Sequence, residues 1–219
     1  MLSVLSLLES RVLGVLVEKE RTVPDTYPMT LNTLVSGCNQ KSSRDPILNA
    51  TETEVQAAID SLKVMNLVIE SSGGRVARYT HNFERVMNVP RQAAALLAVL
   101  MLRGPQTAGE LRINSERLHR FADISAVEAF LNELAERPAG ALVAELPRQP
   151  GSRENRWMHL LSGQPAPQES AAAVAVSDPG GLSVSELAAV KANVARLEAE
   201  VAELKALIAK ISSELGIRE

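Results

Sequence analysis

The spacing of hydrophobic and polar positions predicts that residues 1–162 contain one mainly helical unit twice. In six segments apolar residues recur every three to four positions, which is typical of helices that bury one face. In each copy, three such helices are followed by two short β-prone runs. The first copy is predicted to have helices at roughly 6–20, 29–38 and from Thr51, with strands at 67–71 and from Arg78, and the second to have helices at roughly 91–103, 107–113 and from Ser125, with strands at 141–146 and from Arg156.

A direct sequence repeat supports the duplication. VQAAIDSL at 55–62 matches VEAFLNEL at 127–134, with Val, Ala, an aliphatic residue and Leu in register. The second strand of each copy carries an arginine, an aromatic residue and, two residues later, a histidine. Within residues 1–162, four helices are predicted to begin with a capping box, in which a Ser or Thr and a Glu three residues later satisfy free backbone N–H groups. These pairs are Ser6 with Glu9, Thr51 with Glu54, Thr107 with Glu110 and Ser125 with Glu128.

Helix, helix, helix, strand, turn, strand is the order of a winged helix, a variant of the helix-turn-helix. We therefore predict an α+β protein, mainly α with small β-hairpin wings, built from tandem winged-helix domains at 1–84 and 85–162. Residues 163–182 are rich in Ala, Pro, Ser and Gly without amphipathic periodicity, which predicts a flexible linker. A C-terminal coiled-coil helix is predicted at 183–216.

The coiled coil is predicted from a heptad repeat. β-Branched residues at most a positions and Leu at d positions favour a parallel two-stranded arrangement, so we expect a homodimer. The alternative is that this helix folds back onto its own domains. The apolar a and d positions are Leu187, Val190, Val194, Leu197, Val201, Leu204, Ile208, Ile211 and Leu215.

Composition excludes several classes of protein. The chain is 46% hydrophobic and 22% charged, which is ordinary for a soluble protein. Its single cysteine, Cys38, excludes an intramolecular disulfide and suits a reducing compartment. The longest apolar run, Ala93 to Leu102, is about half of a membrane span, and no basic stretch precedes the apolar start as a signal peptide requires. We expect a cytoplasmic, non-enzymatic protein without a cofactor, because no nucleophile–base pair, metal set or phosphate loop is evident.

Charge is distributed unevenly in a way that bears on nucleic acid. The predicted third helix of each copy is acidic, and phosphates would repel such a face if it entered a DNA groove. The segment 75–156 carries 12 arginines and no lysine against 9 acidic residues. The candidate contacts to DNA or a partner are therefore polar residues of loops and wings, although each could equally serve intramolecular bonding. They are Asn39, Gln40, Lys41, Arg44, Arg75, Arg78, Gln106, Arg112, Arg117, Arg120, Arg153 and Arg156.

Three stretches closely resemble the YceH family of bacterial proteins: YPMTLNTLVSGCNQKSSRDP at 27–46, LRGPQTAGELR at 102–112 and LPRQPGSRENRWMHLL at 146–161. The resemblance extends over essentially the full chain. It implies a tandem winged-helix fold in a cytosolic bacterial protein and brings no catalytic residues. The sequence departs from the family at Ala108, where proline is usual, and at Asn114, where a basic residue is common.

Two functions remain open at this stage. The first is a dimeric, DNA-associated or transcription-regulatory protein that contacts DNA through its wings and loops. The second is an adaptor that uses its winged-helix surfaces to bind another protein. Because winged helices serve both purposes, fold alone does not choose between them.

Overall fold

The computed structural model describes residues 4–71, 76–148 and 154–163. All of these lie in one compact unit of the chain, 1–166, and the second unit is 167–219. The predicted coiled coil with its nine apolar positions, and the predicted linker after residue 163, lie outside the described residues.

Within the described residues the protein is mainly helical with two antiparallel hairpins, which confirms the α+β class. The elements of the first copy are α1 (Leu7–Thr22), a 3-10 turn (Pro24–Thr26), α2 (Leu31–Cys38), α3 (Glu52–Val64), β1 (Val68–Ser71) and β2 (Arg78–His81). After the short α4 (Phe83–Met87) come α5 (Arg91–Arg103), α6 (Ala108–Asn114), α7 (Ile124–Ala135), β3 (Val143–Glu145) and β4 (Trp157–His159).

Three of the four predicted capping boxes are confirmed, at the starts of α1, α3 and α6. The fourth, Ser125 with Glu128, is wrong. Helix α7 begins at Ile124, and the Asp123 side chain accepts a hydrogen bond from the Ala126 backbone N–H at 2.8 Å. Aspartate is as good an N-cap as serine, so the earlier residue sets the helix start.

The two copies share a backbone contact that the sequence pattern did not reveal. In the first, Met29 and Tyr79 exchange two backbone hydrogen bonds of 3.1 and 2.8 Å. In the second, Gln106 and Trp157 do the same at 3.0 and 2.7 Å. The residue before the N-cap of the second helix thus pairs with the second strand in both copies. Tyr79 and Trp157 are both buried beneath these contacts, as expected for core anchors.

Helices α1 and α5, the first helix of each copy, pack against each other. Gly14 permits the close approach, because a Cβ at this position would lie 3.0 Å from Leu102 Cγ. Every residue from Ala93 to Leu102 is buried, since α5 contacts α1 as well as α4, α6, α7 and β4. The continuous apolar run is therefore a helix buried on all sides. Among the described residues, no helix has the length and hydropathy needed to cross a membrane.

Candidate functional site

The loop after α2 is folded tightly onto the rest of the protein. Asn39 anchors it: its side-chain amide donates to the Ala50 carbonyl at 2.8 Å, and its Oδ1 accepts from the Ala50 N–H at 2.7 Å. At the far end, the Asp45 N–H donates to the carbonyl of Leu102 at 2.8 Å, which ties the loop to the end of α5. Asn39 therefore has a clear structural role.

Arg44 is the centre of this loop. Its side chain is fully buried and forms a two-pronged ion pair with Glu18 on α1, with N···O distances of 3.2 and 2.7 Å. It also donates to the carbonyls of Gly37 and Ser43 and to the Gln40 side chain. All five guanidinium N–H groups are thus used. Burial by itself raises the pKa of Glu18, but the hydrogen bonds and charge of Arg44 outweigh it and leave that pKa below its usual value.

A second buried arginine, Arg11, was not anticipated from the sequence. It lies on α1 with no exposed surface and donates to the carbonyls of Cys38 at 3.1 Å and Pro46 at 2.7 Å. Burial, and then the nearby charge of Arg44, lower its pKa. The available signal was an arginine inside the apolar face of a helix, which must find partners if it is buried.

A polar cleft opens beside this loop, between the two copies of the repeat. We call it the arginine cleft; its volume is about 330 Å³. All three stretches that carry the family resemblance contribute to it. Its lining comprises Ser43, Arg44, Asp45, Arg103, Pro105, Gln106, Glu110, Asn114 and Arg156.

The second copy supplies a hydrogen-bonded wall to the cleft. Gln106 is buried; its Oε1 accepts from the Asn114 side chain at 2.6 Å, and its Nε2 donates to the Gly104 carbonyl at 3.3 Å. Asn114, where the resembling family commonly has a basic residue, therefore has a partner within the chain. Arg156 contacts Glu110 at 3.4 Å, and both side chains are more than 40% exposed.

The remaining predicted contact residues that the structure describes are exposed. Lys41 lies on the loop after α2, and Arg78 on β2 donates to the Pro28 carbonyl at 2.8 Å. Arg112 lies on α6 and reaches the Ala122 carbonyl only at 3.4 Å. Arg117 and Arg120 lie in the connection from α6 to α7. Arg75 and Arg153 fall outside the described residues.

Helices α3 and α7 present carboxylates to solvent. Glu52, Glu54 and Asp60 are exposed on α3, and Glu128 and Glu133 on α7. The lysine of α3, Lys63, pairs with Glu70 of β1 and lies 3.7 Å from Asp60. The positive charge of this helix is thus already matched within the protein.

Three titratable groups show how burial limits chemistry here. Burial raises the pKa of the Cys38 thiol to about 12, although Arg11 and Arg44 lower it in part, so the thiolate nucleophile is not available near neutral pH. His81 and His159 occupy matching strand positions, opposite Val68 and Val143. Their equivalent positions in the sequence predict a shared packing or hydrogen-bonding role.

The two histidines do not share their hydrogen bonding. His81 Nε2 lies 3.0 Å from Glu20, whereas His159 Nδ1 is buried without a hydrogen-bond partner among the described residues. Burial lowers the pKa of His159 to about 4, and burial also lowers the pKa of His81 despite Glu20. Within the described ranges, no cluster of three or more His, Cys, Asp or Glu side chains could hold a metal ion.

Comparison with known proteins identifies the family. Residues 5–152 match the family described as "Protein of unknown function, DUF480". A UPF0502 protein of Dechloromonas aromatica is 63% identical over 89% of this chain and 90% of its own length. Another, from Methylibium petroleiphilum, is 60% identical over 99% of this chain and 92% of its own length. The chain therefore belongs to the DUF480 (UPF0502) family of bacterial proteins, in agreement with its YceH-like stretches.

Proposed function

We propose that this protein is a dimeric, tandem winged-helix protein that associates with double-stranded DNA in the bacterial cytoplasm. The observation that carries the proposal is a group of exposed arginines, Arg112, Arg117 and Arg120, on α6 and the connection that follows it. We call this group the α6 arginines. In a helix-turn-helix, the helix that precedes the recognition helix crosses the DNA backbone, and in the second copy that helix corresponds to α6.

The repeat of elements and backbone contacts supports the winged-helix interpretation. Each copy has three helices and a hairpin, and in each copy the residue before the N-cap of the second helix pairs with the second strand of the hairpin. This arrangement gives each copy a three-helix core with a small sheet at one edge. The hairpins then correspond to the wings.

The charges determine which surface would face the phosphates. Arg117 and Arg120 form no hydrogen bond or ion pair with any described residue, so their guanidinium groups are available as phosphate forks. In the sequence from Arg112 to Arg120, the only carboxylate is that of Glu116. The acidic outer faces of α3 and α7 oppose deep insertion of either helix into a groove. Contact between the α6 arginines and the DNA backbone avoids that repulsion.

A second candidate function is binding of another protein. The observation that favours it is apolar exposure beside acidic residues in the first copy. Val64 at the end of α3 is 84% exposed and Ile69 on β1 is 50% exposed. A partner with apolar and basic side chains would match this surface, and the homodimer expected from residues 183–216 would present it twice.

Binding of the full-length protein to fluorescent duplex DNA, across a series of salt concentrations, tests the first proposal. The logarithm of the wild-type association constant should fall linearly with the logarithm of salt concentration. Replacing all three α6 arginines with glutamine should reduce the slope by about 0.9 per lost phosphate contact, or roughly 2–3 in all. It should weaken binding for every sequence tested.

The matched control is Arg85→Gln, which removes an exposed arginine on α4. Its affinity and salt slope should stay near those of the wild type. If wild-type protein does not bind duplex DNA at low salt, or if the triple variant keeps the full slope, DNA association through this surface is disproved. A pull-down with the wild-type protein as bait, compared with one that uses the Val64→Asp variant, would then test the adaptor function.

A further inference from the structure

We propose that the arginine cleft is a binding site for a small oxyanion of the phosphate class, held between the guanidinium groups of Arg103 and Arg156. This site is separate from the α6 arginines, and the inference does not rest on DNA association. It assigns a ligand to the place where the three family-like stretches meet.

Arg103 has unused hydrogen-bonding capacity in a confined position. Its guanidinium donates one hydrogen bond, from Nη2 to Ser43 Oγ at 2.8 Å, and its other N–H groups have no acceptor among the described residues. Arg44, on the same cleft wall, uses every donor and takes up the carboxylate of Glu18. Arg103 therefore lies beside Arg44, and the carboxylate whose charge acts on both, Glu18, is already bound by Arg44. An oxyanion would supply acceptors and charge together.

Burial and neighbouring charges together lower the pKa of Arg103. Burial is the largest cause and lowers the pKa, the charge of Glu18 raises it, and the charge of Arg44 lowers it.

Ser43, which accepts the one hydrogen bond, has a left-handed backbone with φ of 59°. Such a conformation is uncommon outside glycine and asparagine and is often found at binding sites. Here it holds the Ser43 hydroxyl towards the second copy.

Arg156 can turn to a ligand at little cost. Its contact with Glu110 is long, at 3.4 Å, and both side chains are about half exposed, so this ion pair contributes little. The other carboxylate oxygen of Glu110 caps α6 through the Thr107 N–H at 2.9 Å, which keeps Glu110 in place without Arg156. A phosphate or sulfate group offers the planar guanidinium two acceptors at shorter distance.

The unpaired carboxylate on the rim sets the selectivity of the cleft. Asp45 forms no side-chain hydrogen bond among the described residues, and its Oδ2 lies 3.4 Å from the position of a Cβ on Gly104. It repels an unprotonated, negatively charged ligand oxygen but can accept a hydrogen bond from a protonated one. A monohydrogen phosphate, with both acceptors and a donor, fits this combination of groups.

Calorimetric titration of the full-length protein with inorganic phosphate, at constant ionic strength set with chloride, tests the site. Trp157 is the only tryptophan, follows Arg156 directly and pairs with Gln106, so its fluorescence reports on the cleft in the same samples. Arg156→Gln and Arg103→Gln should each weaken binding about tenfold or more, and the double variant should abolish it. Asp45→Asn should strengthen binding of sulfate, which has no proton to donate.

Arg85→Gln is the matched control and should bind as the wild type does. The Arg156 side chain is about half exposed and, among the described residues, its guanidinium bonds only to Glu110, so its variant keeps the test valid even if loss of the Arg103–Ser43 bond disturbs folding. Absence of saturable binding by the wild type up to tens of millimolar, or unchanged binding by Arg156→Gln, overturns the proposal.

Further arms identify the source of the oxyanion. Repeating the phosphate titration with duplex DNA present separates a free ligand, which binds alongside DNA, from a DNA backbone phosphate, which competes. Retained phosphate binding in the triple variant of the α6 arginines shows that the cleft acts independently of the proposed DNA surface.

Discussion

Replacing Arg44, one of the candidate DNA or partner contacts in the sequence, with methionine should destabilise the protein severely. Methionine fills similar space but leaves the carboxylate of Glu18, whose side chain is only 15% exposed, with Lys19 at 3.1 Å as its one remaining ion-pair partner among the described residues. Removing one member of a buried ion pair costs about 3–5 kcal/mol of unfolding free energy, because the remaining charge stays buried. That is a large fraction of the total stability of a domain of this size.

A double variant, Arg44→Met with Glu18→Leu, separates the cost of the buried charge from the cost of the lost hydrogen bonds. It removes both charges but still abolishes the bonds from Arg44 to the Gly37 and Ser43 carbonyls. Each lost bond of this kind costs about 0.5–1.5 kcal/mol. The double variant should therefore be destabilised by roughly 1–3 kcal/mol, less than the Arg44→Met variant alone.

Urea unfolding followed by circular dichroism gives both free energies, and equal m-values would show that the unfolded surface has not changed. Arg103→Gln, at the neighbouring arginine with one hydrogen bond, is a useful comparison and should cost much less. The reasoning is refuted if Arg44→Met lies within about 0.5 kcal/mol of the wild type, the usual range for surface changes. It is also refuted if the double variant costs the sum of its two singles.

Three further predictions concern packing, pH and assembly. Gly37→Ala should lower stability by about 1–3 kcal/mol in urea unfolding, because a Cβ there would lie 2.7 Å from Val15 Cγ1, and unchanged stability would contradict that contact. Since burial lowers the folded-state pKa of His159 from 6.5 to about 4, its neutral form stabilises the fold fully above pH 6.5 and this contribution is lost as pH falls towards 4. His159→Phe should remove up to roughly 3 kcal/mol of that pH dependence, measured as the difference from wild type in unfolding free energy between pH 7 and 4.5, and identical pH profiles would exclude the effect. Deleting 183–216 should halve the mass measured by light scattering, and an unchanged mass would disprove a dimer formed by this segment.

Apart from the short α4, which the sequence did not predict, the order of elements could be predicted because it depends on local physics. Apolar periodicity located α1, α2 and α5, and three capping boxes marked helix starts to within a residue or two. The misplaced start of α7 has the same local origin. Two good N-cap residues, Asp123 and Ser125, stand two positions apart, and the pairing of Ser125 with Glu128 favoured the wrong one.

The candidate site could be predicted only in part, because its arrangement depends on contacts between distant residues. The sequence identified Arg44, Gln106 and Arg156 as notable, but not that they line one cleft. It gave no means of distinguishing the buried, fully bonded Arg44 from the exposed Lys41, three residues earlier in the same polar loop. Arg103, which the proposed oxyanion site requires, was overlooked because it ends an apolar helix and resembles an ordinary C-terminal basic residue.

The close packing of α1 against α5 bears on how the two halves of the duplication can vary and unfold. Each half uses the other's first helix to cover its own apolar surface, so either half alone would expose apolar side chains to water. A fragment beginning at residue 85 would expose the face of α5 that α1 covers. Heating should accordingly melt both copies in one cooperative transition, and a destabilising change in either copy should lower the midpoint for both.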